Sequence, residues 1–548
     1  MATTPARLAH IYTEALDRQA DAIALTDETG SISYRDFDVL CGRAAAWLAA
    51  HGVKAGDKVG VWLPNRREWL VLLFGLARLG ATLVAINTRY RSAELQYILS
   101  RSGATMLVMQ PSFRKIDFPA VLDGLDAAAI PDLKSVALVD PGARPPREIL
   151  GRPTCVFALQ AMAPQAMAPL AMAPEQGDGA GDAEHPVILF TTSGTTKGPK
   201  LVMHSAATLL AHTRCVATAF GLRQADARLL AALPLCGVFG LNGVLAALHA
   251  GAPIVMMDLF DAPRAARLLR EEGITHMYGS DEMLRRIAAE TTGSRPFPHI
   301  RSFGFAAFHP GSVELAAQLE RRGFPMAGLY GSSEVQALFS IQNPDLPVSE
   351  RALGGGRPAA GAAARVRIRD TASGELCQDG VSGEIEIQAP GNFIGYLNDA
   401  EATAQALTPD GYFRTGDLGY LRGDGSFVYL ARIGDALRLG GFLVDPAEIE
   451  YALASQRGVR DAQVVGVMLD GQPRAVAFVI ATTDTQAETL LDQLRATLAP
   501  FKVPARLWLV DAFPTTSSAN GEKIQRARLR EMAESLLNQE TETRPSQT

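Results

Sequence analysis

Between Asp57 and Gln110, short apolar runs alternate with amphipathic stretches in a way that leaves few folds open. DKVGVWLP is followed by EWLVLLFGLARLG, then by ATLVAIN, SAELQYILSRSG and ATMLVMQ. Short apolar runs bounded by Gly, Pro or Asn read as strands, and the stretches between them read as helices. Strands joined through helices by short connections are βαβ units, which build a mostly parallel sheet with helices on its faces. The expected fold class is α/β. With 548 residues the chain is also longer than one hydrophobic core usually serves, so several domains are expected.

A second stretch tests that expectation. From Leu229 to Met257 there is no Lys, Arg, Asp or Glu, a run long enough to cross a bilayer. Pro234, Gly237, Gly240, Gly243, Gly251 and Pro253 break it into LLAALPL, a turn, LNGVLAALHAG and PIVMM. The pattern predicts strand, turn, buried helix and strand rather than a membrane span. Between Ala158 and Pro174 the sequence AMAP occurs three times at a five-residue interval and runs into EQGDGAGDAEHP. That period fits neither solenoid nor heptad, so residues 158–184 read as an exposed low-complexity insertion or linker. After Ser373 the texture changes to short alternating strands and turns, GEIEIQAPG and GYFRTGDLGYLRGDGSFVYLAR, as in a small β-rich unit. From Gly434 onward PAEIEYALASQ and ETLLDQLRATL read as helices, while DAQVVGVMLD and AVAFVIAT read as strands. These make a small α+β domain after a large N-terminal one, with residues 1–433 and 434–548 as the two parts.

Charge limits the partners. The 52 basic and 58 acidic side chains leave a net charge of −6, which offers no global field for nucleic acid, so an anionic ligand must be held by a local site. Cys41, Cys155, Cys215, Cys236 and Cys377 form no CxxC pair. They argue against a zinc site or a disulfide framework and for a reducing, cytoplasmic location. The N-terminus lacks a basic start followed by an apolar block, so no secretory signal is expected.

The local site is most visible at residues 188–205, ILFTTSGTTKGPKLVMHS. An apolar strand runs into Thr191, Thr192, Ser193, Gly194, Thr195, Thr196, Lys197, Gly198, Pro199 and Lys200. Glycines admit close backbone approach, hydroxyls and amides supply donors, and two lysines supply charge, a set suited to a polyphosphate. The loop lacks GxxxxGK[ST] and is not of the Walker type.

This segment resembles the signature loop of the adenylate-forming superfamily, which includes acyl-CoA synthetases, nonribosomal-peptide adenylation domains and beetle luciferases. Further blocks recur in the family order. They are YGSSE at Tyr330 to Glu334, GYFRTGDLG at Gly411 to Gly419, ARIGDALRLGGFLVDPAEIE at Ala431 to Glu450, and SANGEKIQRARLR near the end. INTRYRSAEL at Ile86 to Leu95 is similar to acyl-CoA synthetases in particular. The resemblance covers nearly the whole chain. It implies an N-terminal AMP-binding domain and a mobile C-terminal cap that carries the catalytic lysine.

The resemblance also implies roles. Thr192, Ser193, Gly194, Thr195, Thr196, Lys197 and Lys200 would hold the ATP phosphates. Gly304, Phe305, Ala306, Tyr330, Gly331, Ser332 and Ser333 would surround the nucleotide. Glu334 would bind Mg²⁺ through a hard carboxylate oxygen, Asp417 the ribose hydroxyls, and Arg432 the nucleotide near its ribose and phosphate. Asp435 matches the hinge, Lys523 the lysine that contacts the α-phosphate and carboxylate, and Gly440 and Gly441 the surface along which the pantetheine arm of CoA passes. Lys523, Glu334 and Lys200 are thus the catalytic candidates.

The chain departs from the family pattern at several points. Lys197 and Leu201 stand where glycines are usual, and Glu522 intervenes before Lys523. Cys236 and Gly237 in PLCGVFG replace an aromatic residue and a histidine, which should reshape an acyl pocket expected at Cys236, Gly237, Val238, Phe239, Phe305 and Phe308. Asp281 in YGSDEM replaces a common proline and is expected to cap the following helix.

The implied activity is an ATP- and Mg²⁺-dependent ligase joining a largely apolar fatty or aryl acid to CoA through an acyl-adenylate. Loading of a carrier protein, or a degraded nucleotide-binding scaffold, are the alternatives. A homodimer is among the expected assemblies.

Overall fold

The computed structural model describes residues 7–113, 116–159, 185–192, 199–306, 312–433, 437–439, 442–444, 446–469, 472–482, 485–498, 500, 502–518 and 521–542. The α/β reading holds. Lys58–Trp62, Thr82–Ala85 and Met106–Met109 are parallel strands, and the helices Arg67–Arg78 and Ser92–Ser102 connect them. They lie inside a nine-stranded sheet that Pro186–Thr191 and Leu201–Ser205 extend on one side. In a thirteen-stranded sheet Ile254–Met256, Leu229–Ala231, His276–Ser280, Ser302–Ala306 and Met326–Ser332 run parallel side by side.

The β-rich stretch after Ser373 does not stand apart. Its strands Gly383–Gln388, Phe413–Arg422 and Ser426–Arg432 continue the thirteen-stranded sheet as an antiparallel end, joined through Gly355–Pro358. Gly355 and Gly356 have φ of 107° and 105°, and a Cβ on them would collide with the backbones of Phe427 and Ile341. Only glycine fits where the two halves of the sheet meet so closely.

The uncharged stretch becomes strand Leu229–Ala231, helix Val238–Ala250 and strand Ile254–Met256. The helix is buried nearly all round, against helices His10–Gln19 and Ala206–Ala219 and strand Gln336–Ile341. Asn242 Nδ2 donates to Gln336 at 2.9 Å, and His249 Nδ1 meets the Ile11 carbonyl at 3.0 Å. Among the described residues no helix is long and apolar enough to cross a membrane.

Two apolar cores are built from residues 8–427 and two from residues 437–537, with no shared buried member. The second pair surrounds the sheet Val459–Leu469, Gln472–Ala481 and Arg506–Leu509, packed by Pro446–Ala454, Ala487–Thr497 and Arg526–Glu542. Of the AMAP insertion, residues 160–184 lie outside the described residues.

Candidate functional site

The YGSSE block forms the turn between Met326–Ser332 and Gln336–Ile341. A Cβ on Gly331 would stand 2.5 Å from the Gln336 carbonyl oxygen, so the turn closes only over a bare backbone. The Ser332 hydroxyl accepts from the Glu334 amide at 3.2 Å and braces the tip. Gln336 and Leu338 then have φ of 66° and 62°, a region that L side chains rarely occupy. Such strain persists only where the surroundings over-determine it. Here the fully buried Gln336 amide donates to the Thr208 and Gly391 carbonyls at 3.0 and 2.8 Å and accepts from Asn242.

Two buried histidines complete the brace. His204 Nε2 lies 2.7 Å from the Ser333 carbonyl, and His212 Nε2 lies 2.7 Å from the Ala337 carbonyl. A carbonyl can only accept, so each Nε2 carries the proton. Burial lowers both histidines to about 4, and they are neutral at pH 7. None of Gln336, His204, His212 or Asn242 was expected from motif reading. His204 lies inside the quoted VMHS, but nothing in the sequence shows that its partner is Ser333.

Glu334 is carried on this braced turn. Its Oε1 accepts from the Tyr396 hydroxyl at 2.9 Å, and its carbonyl accepts from the Phe393 amide at 2.7 Å. Burial and then the Glu334 charge push the Tyr396 phenol well above its ordinary value, so it stays a donor. Lys200 Nζ sits 4.4 Å above the Tyr396 ring, within cation–π range. Lys200 is placed there by pairing of its strand: Val202 stands opposite Tyr396, and the Thr192 amide donates to the Lys200 carbonyl at 3.0 Å. Ser193, Gly194, Thr195, Thr196, Lys197 and Gly198, between these anchors, lie outside the described residues.

The GYFRTGDLG block lies across the sheet from the arginine segment, with Asp417 directly opposite Arg432. The Tyr330 hydroxyl donates to Asp417 Oδ2 at 2.6 Å, and Arg432 Nη1 approaches Asp417 Oδ1 at 3.1 Å. Arg432 also donates to the Thr415 carbonyl at 2.7 Å. Burial first, then the Asp417 charge, hold the Tyr330 phenol well above its ordinary value. Burial disfavours the Arg432 charge, but Asp417, Tyr330, Tyr429 and Glu334 together keep it strongly protonated. Tyr330 to Glu334 therefore links two fixed carboxylates, Asp417 and Glu334, with Arg432 and Lys200 beside them. That set can bind a polyanion, a hard cation and vicinal hydroxyls.

Lys523 lies in the strand Gly521–Ile524, opposite Thr516. Asp435, Gly440 and Gly441 lie outside the described residues, as does Phe308.

The acyl-pocket candidates divide. Cys236 is buried, and burial pushes its thiol up to about 12. Gly237 and Val238 open the buried helix, and Phe239 lines a narrow slot with Leu229, Leu233, Gly240, Gly243 and Tyr278. Phe305 is not brought to it. Phe305 alternates with Gly304 along its strand, and Gly304 faces Tyr278, where a Cβ would stand 2.8 Å from the ring. Phe305 therefore points to the opposite face, fully buried, while Ala306 is half-buried. Asp281 does not cap its helix. Ser280 does, accepting from the Met283 amide at 3.2 Å, and Asp281 is the first helical residue, its carboxylate taking the Ser312 hydroxyl at 2.6 Å. Asp281 Oδ1 accepts from the Glu282 amide at 2.9 Å, so the carboxylate meets both its own helix and the neighbouring one.

A family model described as AMP-binding enzyme matches residues 12–397, and one described as AMP-binding enzyme C-terminal domain matches residues 448–520. A methyl-dioxo-octahydro-indenyl-propanoyl:CoA ligase from Mycobacterium tuberculosis is 31% identical over 97% of this chain and 99% of its own. A 3-hydroxybenzoate–CoA ligase from Aromatoleum sp. is 28% identical, covering 94% of each chain. The o-succinylbenzoate coenzyme A synthetase from Bacillus subtilis, solved in complex with ATP and magnesium ion, superposes with a TM-score of 0.75 at 23% identity over 95% of this chain and 99% of its own.

Proposed function

The chain belongs to the AMP-binding enzyme family, and from that premise we propose that it is an AMP-forming acid:CoA ligase acting on a largely apolar acid. The observation that carries the reading is the pair of fixed carboxylates, Glu334 and Asp417, flanked by Lys200 and Arg432. Relatives that span its whole length and are named as CoA ligases support it.

In this reading the Asp417 carboxylate, oriented by Tyr330 and Arg432, accepts the ribose hydroxyls. Arg432 and Lys200 offset phosphate charge, and Lys200 is kept at the mouth of the 193–198 loop by strand pairing. Glu334 fits a magnesium ion: Oε1 is tied to Tyr396, and among the described residues no donor is bonded to Oε2, which leaves a hard oxygen for the cation. Bound there, Mg²⁺ would supply charge neutralisation on the phosphates. The acid carboxylate attacks the α-phosphorus and pyrophosphate leaves. The CoA thiol then attacks the acyl carbonyl and AMP leaves. Fixed donors that need not reorganise suit both steps.

We assign residues 1–433 as the adenylating body and 434–548 as a cap turning at Asp435, a division that the separate apolar cores support. The cap would bring Lys523 to the α-phosphate in the first half-reaction and the Gly440–Gly441 turn to the pantetheine arm in the second. Five free cysteines fit a reducing, cytoplasmic setting.

A panel of fatty, aryl and short-chain acids with ATP, Mg²⁺ and CoA, read by mass for acyl-CoA, tests the reading. Thioester formation with at least one acid is expected. Acid-dependent pyrophosphate release that never yields a thioester would point to a carrier-protein acceptor instead. Lys523→Ala is expected to lower adenylation by about a thousandfold, yet to keep thioester formation from supplied acyl-adenylate within a few-fold. Equal loss in both halves would remove the assignment of Lys523.

A further inference from the structure

A loop that wraps a polyphosphate is only as well placed as its two stems. Lys200, on the outgoing stem of the 193–198 loop, is held at Tyr396. The incoming stem is held from a distant part of the chain. The strand Pro186–Thr191 ends with Thr191 opposite Leu201. One residue on, the Thr192 amide donates to the Lys200 carbonyl at 3.0 Å and its hydroxyl accepts from the Lys200 amide at 3.2 Å. Thr191 is thus the last rung of the ladder, and its hydroxyl stands 2.8 Å from that of Tyr90, 101 residues earlier.

Tyr90 is itself fixed. Asn87 builds the turn that carries it: the Asn87 side-chain oxygen accepts from the Arg89 amide at 3.0 Å, and its carbonyl accepts from the Tyr90 amide at 3.0 Å and the buried Trp62 indole at 3.1 Å. The ring is buried in the apolar core that holds Trp62, Leu189 and Leu201, and the helix Ser92–Ser102 begins two residues on. Burial raises the phenol to about 12, and it stays a neutral hydroxyl at physiological pH. Phenylalanine at 90 and valine at 191 would fill the same space, and valine suits a strand at least as well as threonine. Packing therefore gives no reason for the two hydroxyls, whereas their bond ties the mouth of the loop to a rigid turn.

We propose that Tyr90 is a positioning residue for ATP, which acts through Thr191 to hold the incoming stem of the 193–198 loop where its donors meet the β- and γ-phosphates. The inference rests on the adenylating reading and deepens it, by giving the INTRYRSAEL block a task in the first half-reaction. Groups that are already in place when the ligand arrives spend no binding free energy on being ordered. Loss of the Tyr90–Thr191 bond should therefore weaken ATP, which reaches the loop with its outer phosphates, and spare AMP, which lacks them.

The test measures equilibrium binding of ATP with Mg²⁺, and of AMP, to the full-length protein without acid or CoA, by calorimetry. Tyr90→Phe and Thr191→Val are each expected to raise the Kd for ATP about fivefold, the worth of one neutral hydrogen bond, with the Kd for AMP changed by less than about twofold. The double variant should bind ATP no more weakly than either single one, because both remove the same bond. Thr191→Ser, which keeps the hydroxyl, should bind ATP like wild type. An unchanged Kd for ATP in Tyr90→Phe, equal weakening of ATP and AMP, or losses that add in the double variant would each overturn the proposal. A lower Tm with ATP binding intact would overturn it too, by showing that the bond serves the fold alone. In all of these outcomes wild type binds ATP, and the adenylating reading stands. A wild type that binds neither nucleotide would instead overturn that reading, and this inference with it.

Discussion

The turn at Gly331 to Glu334 and the slot beside Phe239 lie on the same large sheet, yet they are built on opposite principles. At the turn the carboxylates are anchored and the backbone is braced from within: Glu334 takes Tyr396, Asp417 takes Tyr330 and Arg432, and Gln336, His204 and His212 hold the chain. In the slot the walls are apolar, glycines allow close packing, and the Tyr278 hydroxyl has no hydrogen-bond partner among the described residues. A chemical step common to many substrates needs preorganised groups, and preorganisation comes from satisfied hydrogen bonds. Selection of one acid needs a surface completed only by that acid. The turn should therefore decide whether ATP is cleaved, and the slot which acid is used.

That contrast can be broken most sharply at Glu334. Glu334→Gln keeps the shape and removes the charge, and acid-dependent pyrophosphate release should fall by about a hundred- to a thousandfold for every acid tested. A loss confined to some acids would move Glu334 to the selecting side. Tyr330→Phe sharpens the comparison at a smaller scale. It strips one donor from the buried Asp417 carboxylate, and the KM for ATP should rise about tenfold with the ranking of acids retained; a changed ranking would contradict the division.

The brace itself is pH-sensitive. His204 and His212 have an ordinary value of 6.5 and are lowered by burial to about 4. The unfolded chain takes up those protons near pH 6.5, and the folded protein only near pH 4. Stability is therefore full above 6.5 and falls as pH drops through that window. Thermal unfolding from pH 7.5 to 4.5 should show Tm falling on acidification, with a shallower slope in His212→Gln; identical slopes would contradict the neutral buried imidazole. The smallest effect belongs to the turn before the buried helix. Cys236 is buried with its thiol raised to about 12, so a maleimide at pH 7.5 should label the partly exposed Cys377 and leave Cys236 unmodified. Equal labelling would contradict the burial of Cys236.

The same contrast explains what could be read from the sequence. Helices and strands between Asp57 and Gln110 follow from local periodicity, and Pro234 and Gly237 divide the uncharged stretch where the structure does. The carboxylates and cations of the turn were legible because their motifs are short and contiguous. Their braces were not. His212 and Ala337 are 125 residues apart, and His204 and Ser333 are 129 apart, so only the folded sheet brings them together. Phe305 is a case of its own: strand alternation, not its place in the chain, decides its face, and it lies opposite the face that Tyr278 and Gly304 share. The burial of Tyr278 within YGSDEM, with a hydroxyl that has no partner among the described residues, likewise leaves no trace in sequence.

The most direct measurement is the nucleotide balance of a complete turnover with acid, ATP, Mg²⁺ and CoA. AMP and pyrophosphate should appear in equal amounts with acyl-CoA, as attack at the α-phosphorus requires. Acyl-CoA accompanied by ADP and phosphate would contradict the account.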